Sequence, residues 1–191
     1  MNLIFATANL HKVREAQDIL GNEVTLTTPA RFGYSKEIPE TANTLEKNAM
    51  QKARTIWKAL HQNCFADDTG LEVFALNGAP GVRSARYAGL HVDMNANMEK
   101  LLKELAPHDN RNAQFRCVIA LIINGNEFLF EGCIQGSILL KCDGTQGFGY
   151  DPLFLPHGYS QTFASMSPQQ KNAISHRAIA LEKLKYFLCT R

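Results

Sequence analysis

Near the amino terminus, a hydroxyl, an amide and an ammonium group suited to binding phosphate occur in one short run, which consists of Thr7, Ala8, Asn9, Leu10, His11 and Lys12. An apolar, strand-like run ends before it, and a helical pattern begins within it. The first turn of a helix presents unpaired N–H groups and a partial positive charge, and both favour an anion. Asn9 and Lys12 are three residues apart and therefore share a helix face. The alternative is that Asn9 only caps the helix and Lys12 is solvated.

A second candidate is the carboxylate pair of Asp67 and Asp68, which precedes Thr69 and Gly70 at the predicted end of a strand. Neighbouring strand residues face opposite ways, so only one aspartate points into a given site unless Gly70 lets the backbone turn. Carboxylates at strand ends suit Mg²⁺, which completes its shell with phosphate oxygens and water. The alternative is an aspartate pair in a solvated turn.

A third candidate is the run at 147–152, which reads Gly-Phe-Gly-Tyr-Asp-Pro. The glycines on either side of Phe148 allow the backbone to approach a flat ligand, and the aromatic ring can stack on a base. Asp151 can accept hydrogen bonds from N–H groups of such a ring. The alternative is a structural loop with a buried phenylalanine.

A fourth candidate lies at 171–177, which reads Lys-Asn-Ala-Ile-Ser-His-Arg. His176 and Arg177 offer hydrogen-bond donors, and the guanidinium is permanently charged. The alternative is a charged helix surface. Each of the four motifs alone is a weak signal, but together they supply the components of a nucleoside triphosphate site.

These motifs need elements that position them, and the pattern of apolar residues predicts an α/β fold with a mixed sheet and flanking helices. We predict strands at 3–6, 23–27 and 64–66, the last of which stops at Asp67, with a further extended segment at 71–76. A hairpin is expected from strands at 115–123 and 128–140 around Asn124-Gly125-Asn126. The predicted helices are 10–20, a helix capped by Thr44 and ending at Leu60, 93–105, and one from Ser167 to about Leu188.

Composition excludes several classes of protein. The 191 residues are enough for one large domain, and a net charge of +2 provides no field for binding duplex nucleic acid. The five cysteines include no C-x-x-C pair, so we expect reduced thiols in the cytoplasm rather than disulfides or structural zinc. The apolar run at 3–6 is too short for a signal peptide, and none approaches membrane-spanning length, so no membrane partner is expected.

In these motifs the chain resembles the inosine-triphosphate pyrophosphatase family, also called the dITP/XTP pyrophosphatases. The resemblance runs over essentially the whole length. The segments that carry it are, in order, ATANLHK, DDTGLEV, GAPGVRSARYAG, GFGYDPLF and KNAISHR. Five ordered motifs with compatible spacing make a chance match very improbable.

The resemblance implies a reaction, a metal and a set of site residues. Water is expected to attack the α-phosphorus of a purine nucleoside triphosphate such as ITP, dITP or XTP, giving the monophosphate and pyrophosphate. The implied ligands of Mg²⁺ are Glu40 and Asp68, and Asp68 is also the expected acceptor of the water's proton. The residues implied to bind the triphosphate are Thr7, Asn9, Lys12, Lys52 and Thr69. Those implied for the nucleoside are Phe148, Gly149, Tyr150, Asp151, Lys171, His176 and Arg177.

The resemblance also implies an architecture and an assembly. Family members are usually homodimers of an elongated, two-lobed α/β subunit. We therefore expect residues 1–191 to form a single domain with two lobes, a cleft between them and a partner subunit of the same kind.

The segment ETANTLEKNA departs from the pattern ETGxTFxENA that many bacterial members share. Ala42 replaces a glycine, and Lys47 replaces the glutamate that would complete a capping box with Thr44. We expect this to lower the stability of the helix by about 1 kcal/mol or less, with Lys52 still presented five residues later.

The nature of the base follows from donors and acceptors. Hypoxanthine and xanthine carry a 6-oxo acceptor, whereas adenine carries a 6-amino donor, so donors from His176 and Arg177 would favour the oxo form. The alternatives are a Maf-like pyrophosphatase acting on other nucleotides and a nucleotide-binding module without turnover. A P-loop NTPase is excluded because no G-x-x-x-x-G-K-[ST] run occurs.

Overall fold

The computed structural model describes residues 1–190, in which strands and helices alternate along the chain. The strands are β1 (Asn2–Phe5), β2 (Thr25–Thr27), β3 (Cys64–Val73), β4 (Asn112–Ile123), β5 (Asn126–Ile138) and β6 (Phe154–Pro156). The α-helices are α1 (Leu10–Leu20), α2 (Leu45–Leu60), α3 (Met94–Leu105), α4 (Pro168–Ile174) and α5 (His176–Cys189). Short 3₁₀ helices cover Gly21–Glu23, Pro29–Phe32, Phe74–Leu76 and Gly81–Arg86.

The strands form one six-stranded sheet in the order β2-β1-β3-β4-β5-β6. Strand β1 pairs in parallel with both β2 and β3, whereas β5 and β6 are antiparallel. The turn at Asn124 and Gly125, both with positive φ, joins β4 to β5 as the sequence predicted. The predicted α/β class with a mixed sheet is therefore confirmed.

The chain divides into two compact units. The first unit contains Met1–Asp68, Cys117–Gly132 and residues 177–190. Its core packs α1 and α5 against β1 and β4, and the rings of Phe5 and Phe65 stack with centroids 4.3 Å apart. The first unit thus holds α1, the part of β3 up to Asp68 and α5 from Arg177 onwards. The single domain with two lobes and a cleft stays a prediction.

The second unit contains Thr69–Arg116 and Cys133–His176. Its core is built from α3, the end of β3 and the aromatic rings of Phe115, Phe154 and Phe163. Ser84 of the SARY motif is a structural hub in this unit. Its hydroxyl donates to the Gly81 carbonyl oxygen at 2.6 Å and accepts from the Leu71 N–H at 2.9 Å.

The predicted end of a strand at the paired aspartates was wrong, because β3 runs without interruption from Cys64 to Val73. Gly70 does not turn the backbone. A Cβ atom at this position would lie 2.6 Å from the Gly81 carbonyl oxygen, so glycine is needed for the close approach of that loop. The predicted extended segment at 71–76 also ends earlier, since Phe74–Leu76 is a 3₁₀ helix.

The predicted continuous helix from Ser167 to Leu188 is two helices, because Ser175 adopts extended backbone with φ −68° and ψ 155°. Serine favours this conformation just before a helix, a signal hidden by the apolar pattern on both sides. The predicted start of α4 was confirmed, and Ser167 and Gln170 form a capping box there. The boundaries of β2, β4 and β5 differ from the prediction by two or three residues, and β6 was not predicted.

No helix within residues 1–190 is both long and apolar enough to cross a lipid bilayer.

Candidate functional site

The amino end of α1 is capped by the Asn9 side chain. Its Oδ1 accepts from the N–H of His11 at 2.9 Å and from the N–H of Lys12 at 3.4 Å. The Thr7 hydroxyl oxygen accepts from the Asn9 N–H at 3.1 Å. The exposed residues of this run are Ala8, Leu10 and His11. The capping interpretation of Asn9 is therefore confirmed. The Lys12 ammonium is not solvated but forms an ion pair with Asp67.

That ion pair joins α1 to β3 through Asp67, which is 2% exposed. Its Oδ1 accepts from Lys12 Nζ at 2.8 Å, and its Oδ2 accepts from Arg177 Nε at 3.1 Å. Burial favours the neutral acid, but the charges of Lys12, Arg177 and Lys52 outweigh it and lower the pKa of Asp67. Asp67 is thus charged at neutral pH and anchors two cations.

Asp68 meets a different set of charges, as the alternation along a strand requires. Its Oδ1 accepts from Lys52 Nζ at 3.1 Å, and the same ammonium donates to Glu40 Oε1 at 2.6 Å. Burial raises the pKa of Asp68, and the charge of Glu40 adds to this, while Lys52 and Lys12 oppose it. Asp68 is consequently a stronger base than an ordinary aspartate.

Lys52 lies inside helix α2 and is 5% exposed. Burial disfavours its ammonium, but the carboxylates of Asp68, Asp67 and Glu40 outweigh that effect and raise the pKa of Lys52. The ammonium therefore stays charged and links two carboxylates that would otherwise repel each other.

Helix α2 also holds the loop that carries Glu40. Asn48 Oδ1 accepts from the Ala42 N–H at 2.8 Å, and Gln51 exchanges two hydrogen bonds with the backbone and hydroxyl of Thr41. Thr44 caps the helix by accepting from the Lys47 N–H at 3.2 Å, without the second half of a capping box. We therefore expect Lys47 to lower the stability of the helix only through the cap, because the Glu40 loop is held by Asn48 and Gln51 instead.

The carboxylates fit a divalent cation. Asp68 Oδ2 is buried and has no hydrogen-bond partner among residues 1–190. No group of three or more His, Cys, Asp or Glu side chains within the described residues is arranged as a closed metal cage. Mg²⁺ needs only one or two carboxylates when phosphate oxygens and water supply the rest, so Glu40 and Asp68 suffice.

Arg177 is 2% exposed and lies at the start of α5. Besides Asp67, it binds Glu15 of α1, with 2.6 Å between Nη1 and Oε2. Burial lowers the pKa of a guanidinium, but the charges of Asp67 and Glu15 outweigh it and raise the pKa of Arg177. The alternative interpretation of residues 171–177 as a charged helix surface was wrong for Arg177, because this residue belongs to a buried ion-pair network.

A second cluster lies in the second unit, around Asp151. Its Oδ2 accepts from Lys171 Nζ and from the Phe148 N–H, each at 2.8 Å. The Lys171 ammonium also lies 4.9 Å from the centroid of the Phe148 ring, a cation–π contact. Gly147 is required here, because a Cβ at this position would lie 2.0 Å from Asp151 Oδ2.

Aromatic packing fixes the imidazole of His176, which is 3% exposed. It stacks on Phe115 with ring centroids 4.7 Å apart and planes 12° apart. Tyr150 has a structural contact, because its hydroxyl donates to the Ser84 carbonyl oxygen at 2.9 Å. The Gly149 N–H contacts Met94 Sδ at 3.0 Å.

The structure thus groups the predicted residues into two sets. In the first unit, Asp67 joins Lys12 and Arg177, and Lys52 joins Glu40 and Asp68. The charges of Lys12 and Lys52 each act on both aspartates and so couple the two ion-pair groups. In the second unit, they connect Phe148, Asp151 and Lys171, with His176 nearby in the same aromatic core. Thr69 follows Asp68 in β3 and is half-buried.

Sequence reasoning missed several residues that hold this arrangement. Glu15 gave one usable signal, since it lies three residues after Lys12 and so on the same helix face. Asn48 and Gln51 gave none, because polar residues three apart in a helix are common on any solvated surface.

Comparisons with known proteins match nearly the whole chain. A model of the Ham1 family matches residues 3–187. The dITP/XTP pyrophosphatase of Flavobacterium psychrophilum is 50% identical over 184 residues, which covers 96% of this chain and 97% of that protein. The protein of the same name from Porphyromonas gingivalis is 50% identical over 188 residues, covering 97% and 96%. A solved Ham1 protein from Coxiella burnetii has a TM-score of 0.92 at 38% identity and covers 100% of both chains.

Proposed function

Because the chain belongs to the Ham1 family, we propose that it hydrolyses non-standard purine nucleoside triphosphates to the monophosphate and pyrophosphate. The substrates we propose are ITP, dITP and XTP, in keeping with the names of its relatives. The observation that carries the proposal is the buried ammonium of Lys52 between Glu40 and Asp68, with Asp68 Oδ2 left for a further cation. A polyanionic phosphoanhydride whose hydrolysis needs charge neutralisation and a base suits this arrangement.

The proposed metal is Mg²⁺, held by Glu40 and Asp68. The carboxylate oxygens of both residues are hard ligands, which Mg²⁺ prefers. When bound, the metal neutralises phosphate charge and lowers the pKa of a coordinated water.

Asp68 is the proposed acceptor of the proton from the attacking water. Burial raises the pKa of Asp68 in the metal-free protein, but a bound Mg²⁺ would lower it. Proton acceptance therefore depends on the lowered pKa of a coordinated water, which Asp68 orients and from which it receives the proton. Lys12 and Lys52 neutralise the triphosphate, and the partial positive charge of the helix end at Thr7 and Asn9 attracts its oxygens. We also propose that the triphosphate contacts further residues of the run at 7–12 and of β3, namely Ala8, Leu10, His11 and Thr69.

The Asp151 cluster supplies the proposed groups for the nucleoside. Phe148 offers a ring face for stacking on the base, and Lys171 and Asp151 offer a charged donor and acceptor. His176 and Arg177 would donate hydrogen bonds to the 6-oxo group of a purine. With adenine, these donors would face the 6-amino group, which is also a donor, and such a mismatch can cost about 10⁴ in specificity. The backbones of Gly149 and Tyr150 complete the proposed set.

The test is pyrophosphate release with Mg²⁺ from ITP, dITP, XTP, GTP, ATP, CTP and UTP. We expect turnover of the first three and little of the others. Asp68→Asn, run on the same panel, should lose nearly all turnover while still binding ITP, because the amide keeps the shape but accepts no proton. Preferred turnover of a pyrimidine or of ATP by the wild type would contradict the proposal.

Two further properties belong to the proposal. We propose a homodimer, which light scattering of the purified chain would test. We also propose a cytoplasmic location, where nucleotide pools supply the polymerases, and fractionation of cells that produce the tagged chain would test it.

A further inference from the structure

The buried network around Arg177 contains two carboxylates that the proposed reaction does not use as ligands of substrate or metal. Asp67 binds Nε of the guanidinium at 3.1 Å, and Glu15 binds Nη1 at 2.6 Å. The side chains of Arg177 and Asp67 are each 2% exposed, whereas that of Glu15 is 20% exposed. A buried guanidinium held on two of its nitrogens has a fixed plane, because rotation about the bond between Nε and the central carbon would carry Nη1 away from Glu15, while the pair with Asp67 holds Nε.

These carboxylates come from different elements and so fix Arg177 against two parts of the first unit. Glu15 lies on α1, one turn after Lys12, and Asp67 lies on β3. Asp67 binds Lys12 with its other oxygen at 2.8 Å. One carboxylate therefore holds both a cation assigned to the triphosphate and the cation assigned to the base.

We infer that Glu15 and Asp67 are positioning residues for substrate recognition, Glu15 for Arg177 alone and Asp67 for Arg177 and Lys12 together. The inference rests on the proposed function, since it takes Arg177 as a reader of the purine and Lys12 as a phosphate ligand. The two carboxylates act through the cations they hold, not by contact with the substrate.

Because Glu15 holds Arg177 alone and Asp67 holds both Arg177 and Lys12, their variants should have different kinetic effects. Glu15→Gln keeps the shape but weakens the grip on Nη1, so discrimination between ITP and ATP falls while kcat for ITP is nearly preserved. We expect the ratio of kcat/KM for ITP to that for ATP to fall about ten- to a hundredfold, the scale of a small misplacement of a binding group. Asp67→Asn releases Lys12 as well, so it lowers both this ratio and kcat for ITP.

A matched control is available in the same unit. Arg54 and Glu127 form a bidentate ion pair, with both nitrogen–oxygen distances 2.6 Å, and neither residue belongs to the network around Arg177. Glu127→Gln makes the same chemical change in an exposed pair. It should leave kcat/KM and the ITP preference as in the wild type.

The experiment measures the ratio of kcat/KM for ITP to that for ATP in the wild type and in Glu15→Gln, Asp67→Asn, Glu127→Gln and Arg177→Lys. On ¹⁵N-arginine-labelled protein without nucleotide, it also records the side-chain N–H signals of Arg177. Slow rotation of the guanidinium gives separate Nη signals in the wild type, and Glu15→Gln should merge them, whereas Glu127→Gln should not. This readout does not depend on turnover, so it also covers the case in which Asp67→Asn fails to fold. Arg177→Lys sets the full loss of discrimination for comparison.

The outcomes separate the inference from the function. If Arg177→Lys loses the ITP preference and Glu15→Gln keeps both the preference and the separate Nη signals, the positioning role is overturned while the proposed function stands. If Arg177→Lys itself keeps the preference, the assignment of Arg177 to the base falls, and the positioning role falls with it. Loss of the preference together with merged signals in Glu15→Gln, with Glu127→Gln unchanged, supports the inference.

Discussion

Asp67 and Asp68 are neighbours in β3, and their side chains meet opposite electrostatic surroundings. Asp67 pairs with Lys12 and Arg177, and its pKa is lowered despite burial. Asp68 pairs with Lys52, which also pairs with Glu40, and its pKa is raised. One residue of the pair is therefore suited to hold other groups in place, and the other to accept a proton.

A glycine in the second unit allows a direct test of the nucleoside cluster. In Gly147→Ala, the new Cβ would lie 2.0 Å from Asp151 Oδ2, so the carboxylate must move away from Lys171. We expect KM for ITP to rise about tenfold or more, because the cluster loses its geometry. Steady-state kinetics on ITP would measure the change.

Gly158→Ala is the matched control for that variant. Gly158 also has a positive φ, +84° against +75° for Gly147, but a Cβ there would meet nothing within 4 Å. Both variants should lose about 1–2 kcal/mol from the strained backbone, and only Gly147→Ala should change KM. An equal KM in the two variants would remove the Asp151 cluster from substrate binding.

Among the elements, α2 has two separate tasks, since it carries Lys52 and it anchors the Glu40 loop. Asn48 is 3% exposed and accepts from the Ala42 N–H, so Asn48→Ala leaves that donor without its partner and loosens the loop. We expect the Mg²⁺ concentration for half-maximal activity to rise about tenfold or more, the usual effect of losing a group that supports a metal ligand. A magnesium titration at saturating ITP would measure it.

The control for the loop is the helix cap. Thr44→Ala removes the hydrogen bond to the Lys47 N–H and should cost about 1 kcal/mol of stability, as caps commonly do. It breaks no bond to the Glu40 loop, so the magnesium requirement should stay as in the wild type. If both variants raise the requirement equally, general destabilisation of α2 explains the effect instead.

How far the sequence predicted these elements depended on whether the signal was local. The boundaries of α1 and α2 followed from apolar spacing and from the caps at Asn9 and Thr44, and both agree with the structure. Strand β3 was cut short because Asp67 and Asp68 are poor strand formers, and their burial is sustained by cations from α1, α2 and α5. A pattern within one segment cannot reveal a charge supplied from another.

The same limit applied to the site. The motifs identified residues by type, and the structure pairs some of them, such as Lys12 with Asp67 and Lys171 with Asp151. It was not predictable that Lys12 would pair with Asp67, or that Arg177 would pair with Glu15, 162 positions away in sequence. Such contacts depend on the packing of α5 against α1, which no spacing along the chain encodes.

For the molecule as a whole, the lowered pKa of Asp67 and the raised pKa of Asp68 predict how the stability of the metal-free protein changes with pH. The pKa of Asp67 is lowered on folding, so its charged form stabilises the fold above the ordinary value of about 3.9, and this stability is lost as the pH falls below that value. The pKa of Asp68 is raised, so protonation favours the folded state, and that contribution is lost as the pH rises through the folded pKa.

Melting curves in EDTA between about pH 3 and pH 8 would separate the two contributions when the wild type is compared with single variants. Asp68→Asn should be at least as stable as the wild type at neutral pH, with the difference shrinking as acid protonates Asp68 in the wild type. Asp67→Asn should be markedly less stable at neutral pH, because Lys12 and Arg177 lose a buried charge partner, and this deficit should narrow below about pH 4. A neutral-pH loss of stability in Asp68→Asn as large as that in Asp67→Asn would mean that both aspartates are structural anchors, and the assignment of proton acceptance to Asp68 would lose its electrostatic basis.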